Sequence, residues 1–205
     1  MAVDGTEVGS HAPFLAPAGS RVSLGRPATG MRNHLAVRGG LATPVVLGSR
    51  STDVLGGIGP PPLRAGDELH VGDPRDHNHP AVDVVAASPV PDLVELDVDP
   101  GPRRDWVDDT TWATLLRHEW VATPDSDRVG VRFDGPELTR IRTDELPSEG
   151  LVPGAVQLPA SGRPITFLAD VPTTGGYPVV AVLREGSLDR LAQVRPGTRV
   201  RLRNA

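Results

Sequence analysis

Three polar clusters interrupt the apolar pattern of this 205-residue chain, and each contains groups that bind oxyanions. The first is GSRST at residues 48–52, the second is SDRVGVR at 126–132, and the third is DVPTTGGYP at 170–178. Hydroxyls, guanidinium groups and flexible backbone N–H groups can together hold a carboxylate or a phosphate. The residue types therefore predict anion binding.

Each cluster also has a purely structural interpretation. Gly-rich turns with Ser and Thr make hairpin corners, and Asp–Arg pairs brace loops. All three clusters lie at the ends of predicted strands, where functional sites collect. We therefore predict a shared anion pocket faced by Arg50, Arg128 and the loop tip at 173–177, which contains Tyr177, the one tyrosine of the chain.

A metal site is the second chemistry for which the sequence contains suitable residues. His77 and His79 form an H-x-H motif, and Asp73 and Asp76 lie beside it. Two imidazoles and carboxylates could bind a divalent ion. The motif lies in a proline-rich stretch rather than on a rigid element, so we interpret it as a solvated connector and predict no metal site.

Composition excludes several classes of protein. All 21 basic residues are Arg, which excludes a Schiff-base lysine, a P-loop lysine and a pyridoxal-phosphate anchor. The absence of Cys excludes disulfides and a thiol nucleophile. Residues 48–52 lack the closing Gly of a G-x-S-x-G elbow, so a serine triad with His34 or His118 has weak support.

The charge and hydropathy patterns bear on partners and location. The net charge of −5 lacks the basic excess of a nucleic-acid binder. No charged-then-apolar leader and no apolar run near 18 residues is visible in the sequence. We therefore expect a cytoplasmic protein with no nucleic-acid partner and no membrane association.

The elements that must position these groups are mostly short strands. Val-rich apolar runs are separated by turns, and the chain has 23 glycines and 22 prolines. Because aromatics make up 3% of the residues, the core must be built from Val, Leu, Ile and Ala. Strands are predicted at 34–37, 44–47, 68–71, 93–98, 118–122, 129–133, 155–158, 165–169, 179–183 and 199–202.

Two segments have helical spacing. Residues 108–117 begin with an Asp that can cap a helix, and Trp112 and Leu115 are three positions apart. Residues 187–193 place Ser187 as the predicted N-cap. Many strands and two short helices predict a mainly β fold that closes as a barrel or a sandwich.

The stretch 73–92 is predicted to be a linker, because the segment that starts at Gly72 contains four Pro and four Asp. It separates an N-terminal region, 1–72, from a C-terminal region, 93–205. The first is short for a barrel of its own, whereas the second has the size of a single domain.

Nine short stretches occur in a characteristic order along nearly the whole chain. They are LAVRGGL (35–41), PVVLGSRSTD (44–53), GDEL (66–69), SDRVGVR (126–132), SEG (148–150), GAVQLP (154–159), GRPI (162–165), TTGGYPVV (173–180) and LAQVRPG (191–197). This ordered set resembles the biotin-dependent carboxyltransferase family, also described as allophanate hydrolase subunit 2, which includes the C subunit of 5-oxoprolinase.

The resemblance covers roughly the last two-thirds of a family member. The family's first segment, with a Q-D-x-G-R-type motif and a helix rich in small residues, has no counterpart here, which would explain the short region 1–72. A truncation, a misplaced start or a degraded gene would produce this pattern. The chain also departs from the family at Val129 (usually Met), at Val131 (usually aromatic) and at 171–172, where a polar residue often stands.

The resemblance implies two cyclophilin-like β-barrels, the first of them incomplete. It implies a hydrolase subunit that acts only in complex with 5-oxoprolinase subunits A and B or a fused relative. That complex opens the lactam of 5-oxoproline to glutamate and uses ATP, which would be bound through the complex.

Two alternatives stay open within the resemblance. One is the biotin-dependent carboxyltransferase domain of a urea carboxylase or allophanate hydrolase system, with biotin supplied by a partner. The other is a non-catalytic regulatory or scaffold partner of a protein related to the 5-oxoprolinase B subunit.

Under the 5-oxoprolinase hypothesis, the chemistry of the residue types suggests roles for the polar clusters. Arg50 and Arg128 would hold anionic groups, and Asp127 or Asp170 would orient a group or accept a proton. The predicted catalytic residues are Asp127, Arg128 and Asp170. The predicted substrate-binding residues are Ser49, Arg50, Ser51, Thr52, Arg132, Gln157, Thr173, Thr174, Gly175, Gly176 and Tyr177.

Overall fold

The computed structural model describes residues 1–76, 84 and 89–205, which divide into two compact units. Unit 1 comprises Met1–Arg26 and Asn33–Ser88, and unit 2 comprises Pro27–Arg32 and Pro89–Ala205. The H-x-H motif at His77 and His79 lies outside the described residues, as does much of the predicted linker.

Unit 1 contains little regular structure in its described residues. Its strands β1 (Ala2–Val3), β2 (Thr6–Glu7) and β3 (Val22–Ser23) form a small antiparallel sheet in the order β2-β1-β3. A single 3₁₀ turn covers Pro74–Asp76. No described residue of this unit is buried, so the described part of the unit contains no hydrophobic core.

The prediction of strands at 34–37, 44–47 and 68–71 is wrong. The described chain makes only isolated bridges in these regions, such as the one between Val46 and Ser49. Strand propensity reflects packing against neighbouring strands and burial of one face. Here Val45 and Leu47 stay 54% and 89% exposed, so apolar composition alone did not produce a sheet.

Unit 2 is a closed antiparallel barrel with one parallel contact. Its described strands are β4 (Leu93–Pro100), β5 (Glu119–Ala122), β6 (Gly130–Asp134), β7 (Glu149–Gly150), β8 (Ala155–Gln157), β9 (Ile165–Phe167), β10 (Thr174–Gly175), β11 (Val179–Leu183) and β12 (Arg199–Asn204). The barrel order is β11-β4-β12-β5-β6-β9-β8, and β8 pairs with β11 to close it. Strands β4 and β12 run parallel. Strands β7 and β10 form a separate two-stranded sheet.

The mainly β prediction, with a barrel and two helices, is confirmed in the described residues. All seven strands predicted between 93 and 202 are present, with ends that shift by one or two residues. The two-residue strands β7 and β10 were not predicted, because a segment of two residues is too short to show an alternation of apolar and polar residues.

Two short α-helices lie in the described part of unit 2, α1 (Asp109–Arg117) and α2 (Glu185–Ala192). Asp108 caps α1 by accepting a hydrogen bond from a backbone N–H of the first turn. The prediction of Ser187 as N-cap is wrong, because Ser187 lies inside α2 and its Oγ accepts from the Asp97 N–H at 2.8 Å. Within the described ranges, no helix has the length and the apolar character needed to cross a membrane.

The core of unit 2 fills the barrel interior. Along β4, Val94, Leu96 and Val98 are buried and alternate with charged residues on the outer face. This period of two follows from the pleat of a strand. Trp120 is fully buried, and its indole N–H donates to the Leu115 carbonyl at 2.9 Å. The barrel therefore presents a charged and polar outer surface on a rigid apolar support.

Candidate functional site

A cleft of about 630 Å³ lies on the outer face of the barrel, above β6, β9 and β8. Its floor includes a cross-strand row, because Arg132 pairs with Ile165 and Ile165 pairs with Gln157. The alternate residues Val131 and Val156 point into the core, so the row points outward. With strands about 4.8 Å apart, the Cα atoms of Arg132 and Gln157 are about 10 Å apart.

The walls of the cleft combine polar groups with an apolar base. Asp125 contributes a carboxylate and Ser161 a hydroxyl, and Thr123 also lines the cleft. Arg163 and Asp134 form an ion pair and also line the cleft. A concave site of this size with a few convergent polar groups is typical of a small-molecule pocket.

Arg132 supplies an unpaired guanidinium group to this cleft. Its guanidinium group has no ion-pair or hydrogen-bond partner in the part of the chain that the structure describes. Its backbone N–H donates to the Ser126 Oγ at 3.0 Å, which ties the middle of β6 to the preceding turn. Arg163, by contrast, is neutralised by Asp134. Arg132 is therefore the residue of this cleft that could form an ion pair with an anionic ligand.

Gln157 is a nearly fully buried amide in the cleft, with 3% of its surface exposed. Its Nε2 donates to the Tyr177 carbonyl at 2.9 Å. The next residue, Leu158, donates its backbone N–H to the Pro178 carbonyl at 3.0 Å. These two bonds fasten the loop after β10 along β8.

Tyr177 lines the same cleft with a side chain that is 48% exposed. The structure thus brings together three of the predicted substrate-binding residues, Arg132, Gln157 and Tyr177. They come from a strand, a second strand and a loop that are separated in the sequence. Barrel closure places them around one cavity.

The predicted catalytic residues occupy the turn before β6 and the segment after β9. The Asp127 carboxylate accepts hydrogen bonds from the N–H groups of Val129 (2.8 Å) and Gly130 (3.0 Å), which makes it a turn-fixing group. Arg128 forms an ion pair with Asp170 at 3.3 Å. In the described chain these residues lie outside the lining of the cleft.

The predicted residues at 173–176 support the cleft wall. Thr173 accepts a hydrogen bond from the Leu151 N–H at 3.0 Å through its carbonyl. Thr174 and Gly175 form β10, and Gly175 lies against the Gln157 amide. Gly176 follows at the exposed tip of the loop.

The predicted residues of the first cluster belong to unit 1, whereas the cleft belongs to unit 2. Ser49 Oγ accepts from the Ser51 N–H at 3.0 Å, and Thr52 Oγ1 donates to the Pro60 carbonyl at 2.6 Å. Arg50 donates to the Thr43 carbonyl. These groups fix local turns, and the shared pocket predicted for Arg50 and Arg128 stays a prediction.

Several cleft residues were missed in the sequence. Asp134 lies two positions after Arg132, and Arg163 lies two positions before Ile165, so both follow the outward alternation of their strands. That period of two is the signal that could have identified them. Thr123 carries a buried Oγ1 that has no partner among the described residues, and no sequence pattern marks it.

Metal ligands do not converge in the described residues. Within residues 1–76, 84 and 89–205, no group of three or more His, Asp or Glu side chains is placed to hold a metal ion. The H-x-H motif itself lies outside these ranges, so the absence of a metal site there stays a prediction.

Comparison with known proteins gives matches over nearly the whole chain. The family model described as "Carboxyltransferase domain, subdomain A and B" matches residues 1–204. The 5-oxoprolinase C subunit of Escherichia coli (strain K12) is 38% identical over 186 residues, which are 88% of this chain and 58% of that protein. The 5-oxoprolinase C subunit of Haemophilus influenzae (strain Rd) is 33% identical over 204 residues, 98% of this chain and 65% of the relative. The chain therefore spans about three-fifths of the length of these relatives.

A solved structure matches the fold. The crystal structure of the Kluyveromyces lactis urea amidolyase superposes with a TM-score of 0.86 at 25% sequence identity. The match covers 98% of this chain and 14% of that much longer protein.

Proposed function

This chain belongs to the carboxyltransferase-domain family, subdomains A and B, and on that premise we propose that it is the C-type component of an ATP-dependent 5-oxoprolinase complex. In this role it acts with other subunits to open the lactam of 5-oxoproline to glutamate. The similarity to the C subunits of two 5-oxoprolinases supports the proposal.

The row of Arg132, Ile165 and Gln157 is the observation that carries the proposal. 5-Oxoproline has a carboxylate and a ring amide close together. An unpaired guanidinium group binds a carboxylate with two parallel hydrogen bonds. The amide of Gln157 hydrogen-bonds a lactam, and Ile165 between them packs against the ring.

ATP is assigned to the partner subunits in this proposal. The chain has no lysine, and the one unpaired guanidinium group identified in the described cleft suits a single carboxylate better than a triphosphate. The A and B subunits, or a fused relative, would hold the nucleotide. Asp127 and Arg128, in the turn before β6, and Asp170, after β9, are kept in the proposal as groups that orient the reacting species.

The test is reconstitution with the A and B subunits and measurement of glutamate formed from 5-oxoproline and ATP. Arg132→Gln is expected to raise the KM for 5-oxoproline roughly tenfold, because a charged hydrogen bond to the carboxylate is lost. Arg117→Gln, on the exposed end of α1, is the matched control and should leave KM unchanged. Failure of the folded wild-type chain to support glutamate formation would contradict the proposal.

A carboxyltransferase acting on urea is the second candidate, favoured by the fold match to a urea amidolyase. Here biotin would come from a partner, since the chain lacks a lysine for its attachment. Urea carries no charge, so Arg132→Gln should leave the KM for urea unaffected in an assay with carboxybiotin. Binding of the partner subunits without turnover in either assay would support a scaffold instead.

A further inference from the structure

The amide of Gln157 is held in one orientation by its surroundings. Its side chain faces the Tyr177 carbonyl at 2.9 Å, and a carbonyl oxygen can only accept a hydrogen bond. The atom that faces it must therefore be the amide nitrogen. The amide oxygen accepts no hydrogen bond from the described residues, so it is the acceptor that Gln157 offers to the cleft.

Gly175 leaves the space in which this amide lies. A Cβ atom at position 175 would be 2.7 Å from the Gln157 Nε2 and 2.9 Å from the Leu151 Cδ1. Both distances are shorter than van der Waals contact, so a side chain at 175 would displace the amide group. Strand β10 is itself fixed, because Gly175 pairs with Glu149, which forms an ion pair with Arg103.

We propose that Gly175 is a positioning residue: it leaves room for the Gln157 amide, whose oxygen then faces the cleft only as a hydrogen-bond acceptor. The cleft therefore selects ligands that donate an N–H. The inference rests on the proposed function for its choice of ligand, since the ring N–H of 5-oxoproline is such a donor. In the corresponding lactone acid, a ring oxygen replaces the N–H. That oxygen would face the Gln157 oxygen, and two acceptors cannot bond to each other.

The experiment compares the affinities of the full chain for 5-oxoproline and for its lactone analogue, 5-oxotetrahydrofuran-2-carboxylate, by titration calorimetry. Sites built to bond an N–H discriminate strongly against the analogue that lacks it. We expect the wild type to bind the lactam about tenfold or more tightly. Gly175→Ala and Gln157→Leu should each bring the ratio close to one.

Gly150→Ala is the matched control. Gly150 lies on β7, the partner strand of β10, and a Cβ there would meet nothing within 4 Å. This variant should keep the wild-type ratio. Thermal unfolding of each variant, followed by circular dichroism, shows whether the barrel is intact, and Gln157→Leu decides the question if Gly175→Ala does not fold.

Three results would overturn the inference. They are equal wild-type affinity for lactam and lactone, an unchanged ratio in a folded Gly175→Ala variant, or no binding of either acid. The ratio is measured without ATP or turnover. A chain that discriminates the two acids and yet supports no glutamate formation would overturn the proposed function and leave this inference standing.

Discussion

The two units of this chain are stabilised in different ways. In unit 2, side chains such as Leu96, Trp120 and Val156 are completely removed from solvent inside a closed barrel. In unit 1 no described residue is buried, and Leu47 and Leu55 are 89% and 72% exposed. Burial of apolar surface is the dominant favourable term in folding. Unit 2 therefore carries the stability of the described structure.

Local hydrogen bonds define the conformation of unit 1 instead. The Asp53 carboxylate accepts from the N–H groups of Leu55 (3.0 Å) and Gly56 (2.9 Å). The Asp67 carboxylate accepts from the Arg64 N–H at 2.6 Å. Such side-chain turns specify a backbone path without a core. The comparison teaches that turn chemistry can shape a region whose apolar residues remain exposed.

The largest effect is expected in the barrel core. Leu96→Ala should lower the free energy of unfolding by about 2–5 kcal/mol, because it leaves a cavity among buried side chains. Leu55→Ala, at an exposed position of unit 1, should change it by no more than about 0.5 kcal/mol. Urea denaturation measures both variants. Equal losses of unfolding free energy in the two variants would contradict the conclusion that unit 2 carries the stability.

The next effect is expected at a turn of unit 1. Gly59 has a φ of +88°, and a Cβ there would lie 2.2 Å from the Ser51 carbonyl oxygen, whereas at Gly57, with φ +64°, it would meet nothing within 4 Å. Both Ala variants carry the left-handed strain of about 1–2 kcal/mol, and Gly59→Ala adds a clash. Hydrogen exchange at the paired amides of Asp53 and Ile58 should accelerate more in Gly59→Ala. The urea midpoint for unfolding of the barrel should stay unchanged in both variants. A lower midpoint in either variant would contradict the assignment of stability to unit 2.

An ion network on the outer barrel face contributes to the pH dependence of unit 2. The carboxylate of Asp97 accepts hydrogen bonds from Arg203 and Arg190, and these lower the pKa of Asp97 below its usual value. A depressed pKa in the folded state stabilises the protein above the unfolded pKa of about 4. That contribution is lost as the pH falls through the folded pKa.

Asp97→Asn should accordingly lower stability at neutral pH, by less than the core variant because the pairs are partly exposed. The difference from the wild type should shrink as the pH falls from about 5 to below the folded pKa. It should also shrink in 1 M salt, where such pairs are screened. Chemical denaturation at a series of pH values measures this difference in unfolding free energy. A difference that stays constant with pH would show that Asp97 acts by packing rather than by charge.

The smallest effect is expected at Arg132. Because its guanidinium group has no partner in the described residues, Arg132→Gln should change the free energy of unfolding by no more than about 0.5 kcal/mol. Arg163→Gln, which breaks the pair with Asp134, should cost up to about 1 kcal/mol. Thermal unfolding under identical conditions compares them. A larger loss in Arg132→Gln would indicate a structural role and weaken its assignment as a ligand-binding cation.

The strands of the barrel could be predicted because each is a short run rich in apolar residues, and in β4 these alternate with charged ones. Residues 93–98 read Leu-Val-Glu-Leu-Asp-Val, and the structure buries Val94, Leu96 and Val98. The apolar run at 44–47 pairs with no strand among the described residues, so its prediction failed. Ser187 failed as a cap for a related reason, since a bond from a distant strand replaced the local one.

The chemistry of the candidate site was readable in the sequence, because residue types fix what each side chain can donate, accept or neutralise. Arg132 and Tyr177 lie in the polar clusters, and Gln157 lies in GAVQLP, one of the stretches that carry the family resemblance. Their convergence was decided by tertiary structure, because the strand register places Arg132 and Gln157 on either side of Ile165. Whether an arginine is paired is likewise a property of its neighbours in space. Arg163 meets Asp134 and Arg132 meets no described partner, although their sequence contexts gave no hint of the difference.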